Sequence, residues 1–290
     1  MRTRSSAAVL VAALRPKEWI KNVFVLAPVL FAGRLDHGGA VRDSIVMTLA
    51  FCAISSAGYL VNDILDVEED RAHPVKRYRP IASGELSPSV ALLMAGALGL
   101  AAIGSALTVG LDAAGVVLAY AAATAAYSIL LKHEVILDVM TIAGLFLLRV
   151  LAGSLAAGVK PSQWLLFCTG MLALFLGFTK RRQEAVSESR HERPTRVVLE
   201  HYTLPFLDQM VSLVTAAALI SYGIYAINSP LIGGRMLLTT PIVLYGLFRY
   251  LYLIYARGEQ RDIAALVTSD RGLIGAVAAY AAMVLLLLYV

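Results

Sequence analysis

Six stretches of the sequence are uncharged, mostly apolar and at least 19 residues long. A helix needs about 20 such residues to cross the hydrocarbon core of a bilayer. The stretches cover residues 44–62, 87–111, 113–131, 161–179, 211–234 and 272–290. Hydrophobic residues make up 59% of the 290-residue chain and charged residues 16%, against about 45–50% and about 25% in soluble domains. The sequence therefore predicts a protein whose outer surface faces lipid.

Three further windows are apolar but short or interrupted by charge. Residues 22–33 extend backwards through Trp19, residues 135–158 contain Asp138 and Arg149, and residues 237–256 contain Arg249. With the six uncharged stretches they predict an all-α integral membrane fold of nine transmembrane helices. Little chain is left for a soluble module, so we expect one transmembrane domain over residues 1–290. Because a charge inside a membrane is costly, we expect each of Asp138 and Arg149 either to have a structural partner or to belong to a site.

The N-terminus and the charge balance exclude several classes of protein. Arg2 and Arg4 precede a short apolar run at 7–14, and a charged segment follows where a signal peptide would have its cleavage site. We therefore expect residues 1–18 to form an amphipathic segment lying on the membrane. The two cysteines lie in apolar runs and do not indicate a disulfide scaffold. The chain has a net charge of +5. Basic cytoplasmic loops, which are typical of membrane proteins, explain this charge without nucleic-acid binding.

The distribution of lysine and arginine predicts the orientation. With nine spans and a cytoplasmic N-terminus, nineteen of these residues fall on the cytoplasmic side and four on the other side. Cytoplasmic loops of membrane proteins carry such an excess of positive charge. We therefore expect the N-terminus inside, the C-terminus outside, and cytoplasmic loops at about 63–86 and 180–207.

An acidic cluster stands where the second predicted span ends. The run reads Asn62-Asp63-Ile64-Leu65-Asp66-Val67-Glu68-Glu69-Asp70. On one continuous helix Asn62, Asp66 and Asp70 share a face, and Asp63 lies beside Asp70. Crowded carboxylate and amide oxygens suit Mg²⁺, which often binds carboxylates together with substrate phosphates. The pattern predicts a metal site formed by these four side chains, the alternative being a solvated acidic helix end.

A basic segment follows the acidic cluster. Lys76, Arg77 and Arg79 stand there, and charge-assisted hydrogen bonds would let them hold phosphate oxygens. The alternative is that they only orient the protein in the membrane. Arg79 opens the stretch Arg-Pro-Ile-Ala-Ser-Gly at 79–84.

The acidic run, the basic segment and residues 79–84 together resemble the first signature of the UbiA superfamily of intramembrane prenyltransferases. The number of predicted spans also fits that superfamily, so the resemblance covers nearly the whole chain. It implies a UbiA-like helical bundle and Mg²⁺ as cofactor. Members usually carry a second aspartate motif after the sixth span, but residues 180–184 read Lys-Arg-Arg-Gln-Glu here. This departure puts an ordinary prenyl diphosphate donor in doubt.

Residues 14–22, 127–132 and 180–184 narrow the resemblance to the decaprenyl-phosphate phosphoribosyltransferase branch of actinobacteria. That branch implies transfer of a 5-phosphoribosyl group from 5-phosphoribosyl 1-diphosphate to decaprenyl phosphate, with release of pyrophosphate. The product would be a precursor of cell-wall arabinan, made at the cytoplasmic face of the plasma membrane. The oligomeric state, including a homo-oligomer, is left open.

For a reaction of this kind, charge and position along the chain suggest roles for individual side chains. Asp63, Asp66 and Asp70, helped by Asn62, would hold the metal against the diphosphate, and Lys132 would contact the same phosphates. The expected substrate-binding residues are Asn62, Lys17, Lys21, Arg77, Arg79, Tyr127, Lys180, Arg181, Arg182 and Glu184. Lys17 and Lys21 would bind the acceptor phosphate, the basic group at 180–182 the 5-phosphate, and Glu184 a ribose hydroxyl. The alternative for the basic group is that some or all of it only orients the protein in the membrane. Tyr127 would bind the donor or stand as an interface residue.

Two other functions compete with this interpretation. The first is transfer of a prenyl chain from a prenyl diphosphate to an aromatic or other small acceptor, which consumption of that donor would reveal. The second is a transporter or a non-catalytic membrane protein, which would bind ligand without turnover. The sequence shows no internal duplication of the kind typical of inverted-repeat transporters.

Overall fold

The computed structural model describes residues 5–188, 197–229, 231–261 and 263–289. Within these ranges the chain forms twelve α-helices and five 3₁₀ helices, and no β-strand. The α-helices are α1 (Ser6–Leu14), α2 (Ala27–Phe31), α3 (Gly38–Leu65), α4 (Val67–Ala72), α5 (Pro88–Leu107), α6 (Leu111–Ile129), α7 (Leu137–Ala156), α8 (Gln163–Glu188), α9 (Leu204–Ile227), α10 (Thr240–Tyr255), α11 (Ile263–Ser269) and α12 (Arg271–Tyr289). The 3₁₀ helices are Pro16–Val25, Lys76–Tyr78, Leu131–His133, Val197–His201 and Gly233–Thr239. The all-α prediction is confirmed.

Eight helical segments of the described chain are long and apolar enough to cross a membrane. They are Gly38–Leu65, Pro88–Leu107, Leu111–Ile129, Leu137–Ala156, Gln163–Ser187, Leu204–Ile227, Gly233–Tyr255 and Arg271–Leu288. Each overlaps one of the predicted windows. Large apolar side chains such as Leu93, Leu100 and Leu111 are exposed on them, as a surface that faces lipid requires.

The window at 22–33 does not form one continuous helix. It contains the end of the 3₁₀ helix Pro16–Val25 and the five-residue helix α2. Pro28 has no N–H to donate to the carbonyl of Phe24, which disfavours an unbroken α-helix through this window. Gly33 follows with a φ of +61°. The count of nine spans and the orientation therefore stay predictions.

The chain divides into two compact units. The first comprises Met1–Val29, Leu35–Leu131 and Leu148–Lys160. In its core α3 packs against α5 through the small residues Ala57, Ala91 and Ala95, which allow two helix backbones to approach closely. Helix α1 adds Val9 and Ala13 to this core. Residues 6–14 of the predicted N-terminal segment are thus helical, and their placement on the membrane stays a prediction.

The second unit comprises Leu30–Arg34, Lys132–Leu147 and Pro161–Val290. Its core is built around α8, which packs against α9. Phe175 and Tyr250 meet edge to face with ring centroids 5.6 Å apart, and Phe178 and Leu207 are buried in the same cluster.

The expectation that residues 180–188 belong to a loop is wrong, because α8 continues as a helix to Glu188. The charged and polar residues at 180–184 are good helix formers. The apolar stretch at 161–179 therefore ends before the helix does. The remainder of the predicted loop up to residue 196 lies outside the described residues, and residues 204–207 already belong to α9.

Candidate functional site

The acidic cluster occupies two helices and not one. Helix α3 ends at Leu65, Asp66 connects the helices with φ −93° and ψ 12°, and α4 begins at Val67. The expectation of one continuous helical face is therefore wrong. Three acidic residues fall in the first turn of α4, where the positive end of the helix dipole stabilises negative charge. This gain favours starting a new helix at this point.

Arg79 joins the two acidic helices. Its Nη1 donates to Asp63 Oδ1 over 3.1 Å and to Asp70 Oδ2 over 2.5 Å. Asp63 and Asp70 are 3% and 2% exposed, and buried carboxylates require such charged partners. The expected proximity of Asp63 and Asp70 is thus present in the structure, with a guanidinium nitrogen between them. The basic segment contributes Arg79 directly to the acidic cluster.

Arg15 is a member of this cluster that sequence reasoning missed. Its guanidinium forms an ion pair with Asp63 and lies over the ring of Tyr59, 5.0 Å from the ring centroid. Arg15 ends α1 with a φ of +53°, which is uncommon for a residue other than glycine. The sequence offered one signal, since Arg15 lies in the 14–22 motif. In that motif the expected roles fell on Lys17 and Lys21 instead.

Asn62 and Asp66 form the second part of the acidic cluster. The Asn62 side-chain amide donates to Asp66 Oδ2 over 2.8 Å, as their spacing of four residues allows. The carboxylate and amide oxygens of the cluster are the donor types that Mg²⁺ prefers. In the part of the chain that the structure describes, no three acidic, histidine or cysteine side chains are arranged as a metal site. Arg79 stands between two of the predicted ligands, so their metal role stays a prediction.

The other substrate-binding candidates of the first unit lie on several elements. Lys17 is exposed on the 3₁₀ helix Pro16–Val25, and Lys21 forms an ion pair there with Glu18. Arg77 donates to the hydroxyl of its neighbour Tyr78 over 2.7 Å. Tyr127 is half-buried near the end of α6. Of the two arginines predicted to hold phosphate, Arg79 is therefore in the acidic cluster, and Arg77 contacts a neighbouring tyrosine.

Arg79 and Arg77 form a matched pair for mutagenesis. We expect Arg79→Gln to weaken binding of a diphosphate substrate about tenfold or more, because charge-assisted hydrogen bonds are lost and two buried carboxylates lose a shared partner. Arg77→Gln removes the same charge from the same segment and is expected to change the affinity less than threefold. The measurement is the KM for the diphosphate substrate. Equal effects of the two substitutions would contradict a specific role of Arg79.

The intramembrane charge Arg149 has a structural environment in the first unit. Its Nε donates to Asn22 Oδ1 over 2.8 Å, and its Nη2 donates to the hydroxyl of Tyr120 over 2.7 Å. The guanidinium also lies 4.8 Å from the centroid of the Tyr120 ring. Hydrogen bonds and a cation–π contact stabilise a charge that lipid would not solvate. These contacts favour a structural role for Arg149 over a role in a substrate site.

The second unit carries Lys132 and the basic group at 180–184. Lys132 is half-buried in the 3₁₀ helix Leu131–His133. Arg182 donates to Asp208 over 2.5 Å and lies 3.7 Å from the centroid of the Tyr255 ring. Arg181 is 1% exposed and forms ion pairs with Asp138 and Glu184. The expectation that Arg181 stands in a loop is wrong, because it is held inside the protein by two carboxylates.

Asp138 and Tyr202 complete a buried network around Arg181. The hydroxyl of Tyr202 donates to Asp138 Oδ1 over 2.7 Å, and the N–H of Ile136 donates to that hydroxyl over 2.7 Å. Burial, and next the hydrogen bond to the Asp138 carboxylate, raise the pKa of Tyr202 above its usual range, so the hydroxyl stays protonated. Sequence reasoning missed Tyr202, since no local pattern marks a contact between residues 64 positions apart.

The long apolar helices and the buried carboxylates at the end of a span define the class of this protein as a multi-pass helical membrane protein with a charged site. The chain belongs to the UbiA prenyltransferase family, which matches residues 23–270. The decaprenyl-phosphate phosphoribosyltransferase of Mycolicibacterium smegmatis is 36% identical over 223 residues, covering 76% of this chain and 70% of the relative. The enzyme of that name from Corynebacterium glutamicum is 38% identical, covering 76% and 67%.

A solved structure supports the fold independently. A UbiA homologue from Archaeoglobus fulgidus, bound to DMAPP and Mg²⁺, superimposes with a TM-score of 0.75 at 16% identity. The match covers 97% of this chain and 99% of that one. The identity is low, so the comparison establishes the UbiA-like helical fold alone.

Proposed function

We propose that this protein transfers the 5-phosphoribosyl group of 5-phosphoribosyl 1-diphosphate to decaprenyl phosphate, releasing pyrophosphate. The observation that carries the proposal is the pair of buried carboxylates, Asp63 and Asp70, bridged by Arg79 and joined by Arg15. Carboxylates and arginines in one cluster are what a phosphate-rich substrate and a divalent cation need together. The two relatives bearing the name of this activity support the choice of donor and acceptor.

Asp63, Asp66 and Asp70, with the Asn62 oxygen, would hold Mg²⁺. The bound cation would neutralise the diphosphate leaving group as it departs. Arg15 and Arg79, which pair with these carboxylates, would present their remaining N–H groups to the diphosphate oxygens. Guanidinium groups suit this role, since they bind phosphate oxygens through paired N–H groups.

The remaining cations would share the other phosphates. Lys132 would contact the diphosphate with Tyr127, and Arg77 would stand at the edge of the site. Lys180 and Arg182 would bind the 5-phosphate, and Glu184 a ribose hydroxyl. Arg181 would support them from the interior, since it is buried between Asp138 and Glu184. Lys17 and Lys21 would bind the phosphate of the lipid acceptor.

The reaction needs positioning more than proton transfer. An oxygen of the acceptor phosphate attacks C1 of the ribosyl group, and the bond from C1 to the diphosphate oxygen breaks with its electron pair leaving on pyrophosphate. The attacking oxygen is already anionic at neutral pH, so no general base is required. The residues lower the barrier by holding both anions in place and stabilising the departing charge. A direct displacement would invert the configuration at C1.

The proposal includes the location of the reaction. The protein would lie in the plasma membrane as a single domain over residues 1–290, with nine spans and the N-terminus inside. The site would then face the cytoplasm, where a soluble sugar phosphate is available. The product would serve the synthesis of cell-wall arabinan precursors.

The test is transfer of ribosyl label into lipid by the purified chain in detergent. The assay contains Mg²⁺, labelled 5-phosphoribosyl 1-diphosphate and decaprenyl phosphate. We expect label to enter the organic phase, to stop on addition of EDTA and to resume with excess Mg²⁺. Protein that elutes as a single species in detergent and yet moves no label under these conditions would contradict the proposal.

A further inference from the structure

The connection into α7 contains a strained residue in the second unit. Ile136 has a φ of +70° and directly precedes the helix, which begins at Leu137. A β-branched residue pays a steric penalty in this left-handed region, where glycine does not. Such a conformation persists only when surrounding contacts maintain it.

Tyr202 provides these contacts. Its hydroxyl accepts the N–H of Ile136 and donates to Asp138, both over 2.7 Å, so it holds residues on both sides of the start of α7. Asp138 is fully buried, and it also accepts hydrogen bonds from Arg181 Nε and from the N–H of Val139. A buried network with every member bonded is rigid. The connection is therefore fixed from a point 66 residues further along the chain.

Lys132 lies four residues before Ile136, at the other end of the same connection. The carbonyl of Glu134 accepts the N–H of Asp138 over 3.0 Å, which ties the middle of the connection to the first turn of α7. A change of backbone direction at Ile136, which lies between these two residues, would break this hydrogen bond and move the segment that carries Lys132.

We propose that Tyr202 is a positioning residue: its hydroxyl maintains the left-handed conformation of Ile136 and so holds in place the connection that carries Lys132, the one residue of this connection assigned a substrate contact. The role of Lys132 rests on the proposed function. The effect of the Tyr202 hydroxyl on the backbone at Ile136 does not depend on that function. Tyr202 acts on the reaction only through the backbone it holds.

The conformational test uses a spin label at residue 134. Glu134 is exposed in the middle of the connection, and Glu134→Cys gives an attachment point. Signal from the native Cys52 and Cys168 is measured on the unsubstituted chain and subtracted. We expect Tyr202→Phe to increase the mobility of the label without any substrate present. Unchanged mobility would overturn the proposal, whatever the activity of the variant.

The kinetic test uses rescue. We expect Tyr202→Phe to lower kcat by about tenfold, because both hydrogen bonds of the hydroxyl are lost. Adding Ile136→Gly should recover several-fold of that loss, since glycine adopts the left-handed conformation without the hydroxyl's help. Ile136→Gly without Tyr202→Phe should stay close to the wild-type rate. A double variant no more active than Tyr202→Phe would overturn the proposal.

A matched control separates positioning from general stability. Tyr222 is another buried tyrosine of this unit, and its hydroxyl bonds to Thr239 outside the network. Tyr222→Phe should lower the unfolding temperature without changing label mobility at residue 134. If the wild-type protein transfers no ribosyl group, the mobility of the spin label at residue 134 still tests whether Tyr202 positions the connection. Failure of the proposed function and failure of the positioning role are therefore distinguishable.

Discussion

Replacing Asp63 by asparagine is expected to reduce transfer by about 100-fold or more, which corresponds to roughly 3 kcal/mol of lost transition-state stabilisation. Asp63 is the carboxylate on which Arg15 and Arg79 converge, and it is a proposed metal ligand. Asparagine keeps the size of the side chain but removes its charge. The substitution would therefore weaken metal binding, leave Arg15 without its carboxylate and leave Arg79 paired with Asp70 alone. The measurement is kcat at saturating Mg²⁺ and both substrates.

Glu68 supplies the matched control for this prediction. It lies five residues further along the same acidic run, but it is exposed and forms an ion pair with Arg71 over 2.7 Å. Glu68→Gln makes the same change of charge and is expected to keep at least half of the activity, because exposed ion pairs contribute little. Loss of activity in both variants would mean that the site responds to the total charge of the run. Near-normal activity of Asp63→Asn would contradict the assigned role.

Replacing Gly153 by alanine is expected to destabilise the protein by about 3 kcal/mol, which lowers the unfolding temperature in detergent by roughly 5 °C or more. A Cβ at Gly153 would lie 2.0 Å from the carbonyl oxygen of Val25 and 2.8 Å from its carbonyl carbon. Backbone atoms cannot rotate aside as a side chain can. The 3₁₀ helix Pro16–Val25 would have to move away from α7, disturbing the hydrogen bond between Arg149 and Asn22.

Gly144 supplies the control on the same helix. A Cβ at Gly144 would meet no atom within 4 Å. Gly144→Ala should therefore leave the unfolding temperature unchanged or raise it slightly, because alanine favours a helix over glycine by up to about 1 kcal/mol. Because Lys17 and Lys21 lie on the displaced 3₁₀ helix, Gly153→Ala should also raise the KM for the lipid acceptor. An unfolding temperature of Gly153→Ala equal to that of the wild type would contradict this prediction. It would show that the close approach of Gly153 to the Val25 carbonyl does not limit stability.

The transmembrane helices could be predicted well from sequence, for a physical reason. A helix that crosses lipid must be apolar over about 20 residues, and a stretch such as 87–111 is uncharged throughout. The same reasoning fails where a helix does not begin or end with its apolar stretch. Helix α8 continues through 180–188 outside the apolar stretch, and Pro28 interrupts an apolar window.

The candidate site was predictable in its local parts and not in its long-range contacts. Asp63, Asp70 and Arg79 follow one another within 17 residues, so a local charge pattern indicates them. By contrast, Arg15 and its partner Asp63 are 48 residues apart in the sequence, and Arg181 and its partner Asp138 are 43 residues apart. A single sequence carries no signal for which of several arginines reaches a given carboxylate, because positive charge near a span end also serves orientation.

The central claim is that the chain transfers a phosphoribosyl group and not a prenyl chain. The most direct measurement presents purified protein with both donors at once, 5-phosphoribosyl 1-diphosphate and a prenyl diphosphate, together with decaprenyl phosphate and an aromatic acceptor. The products are identified by mass spectrometry, with Asp63→Asn as the inactive control. The account predicts a decaprenyl lipid carrying one phosphoribosyl group and no prenylated aromatic compound. A prenylated aromatic product with the ribosyl donor left intact would contradict it.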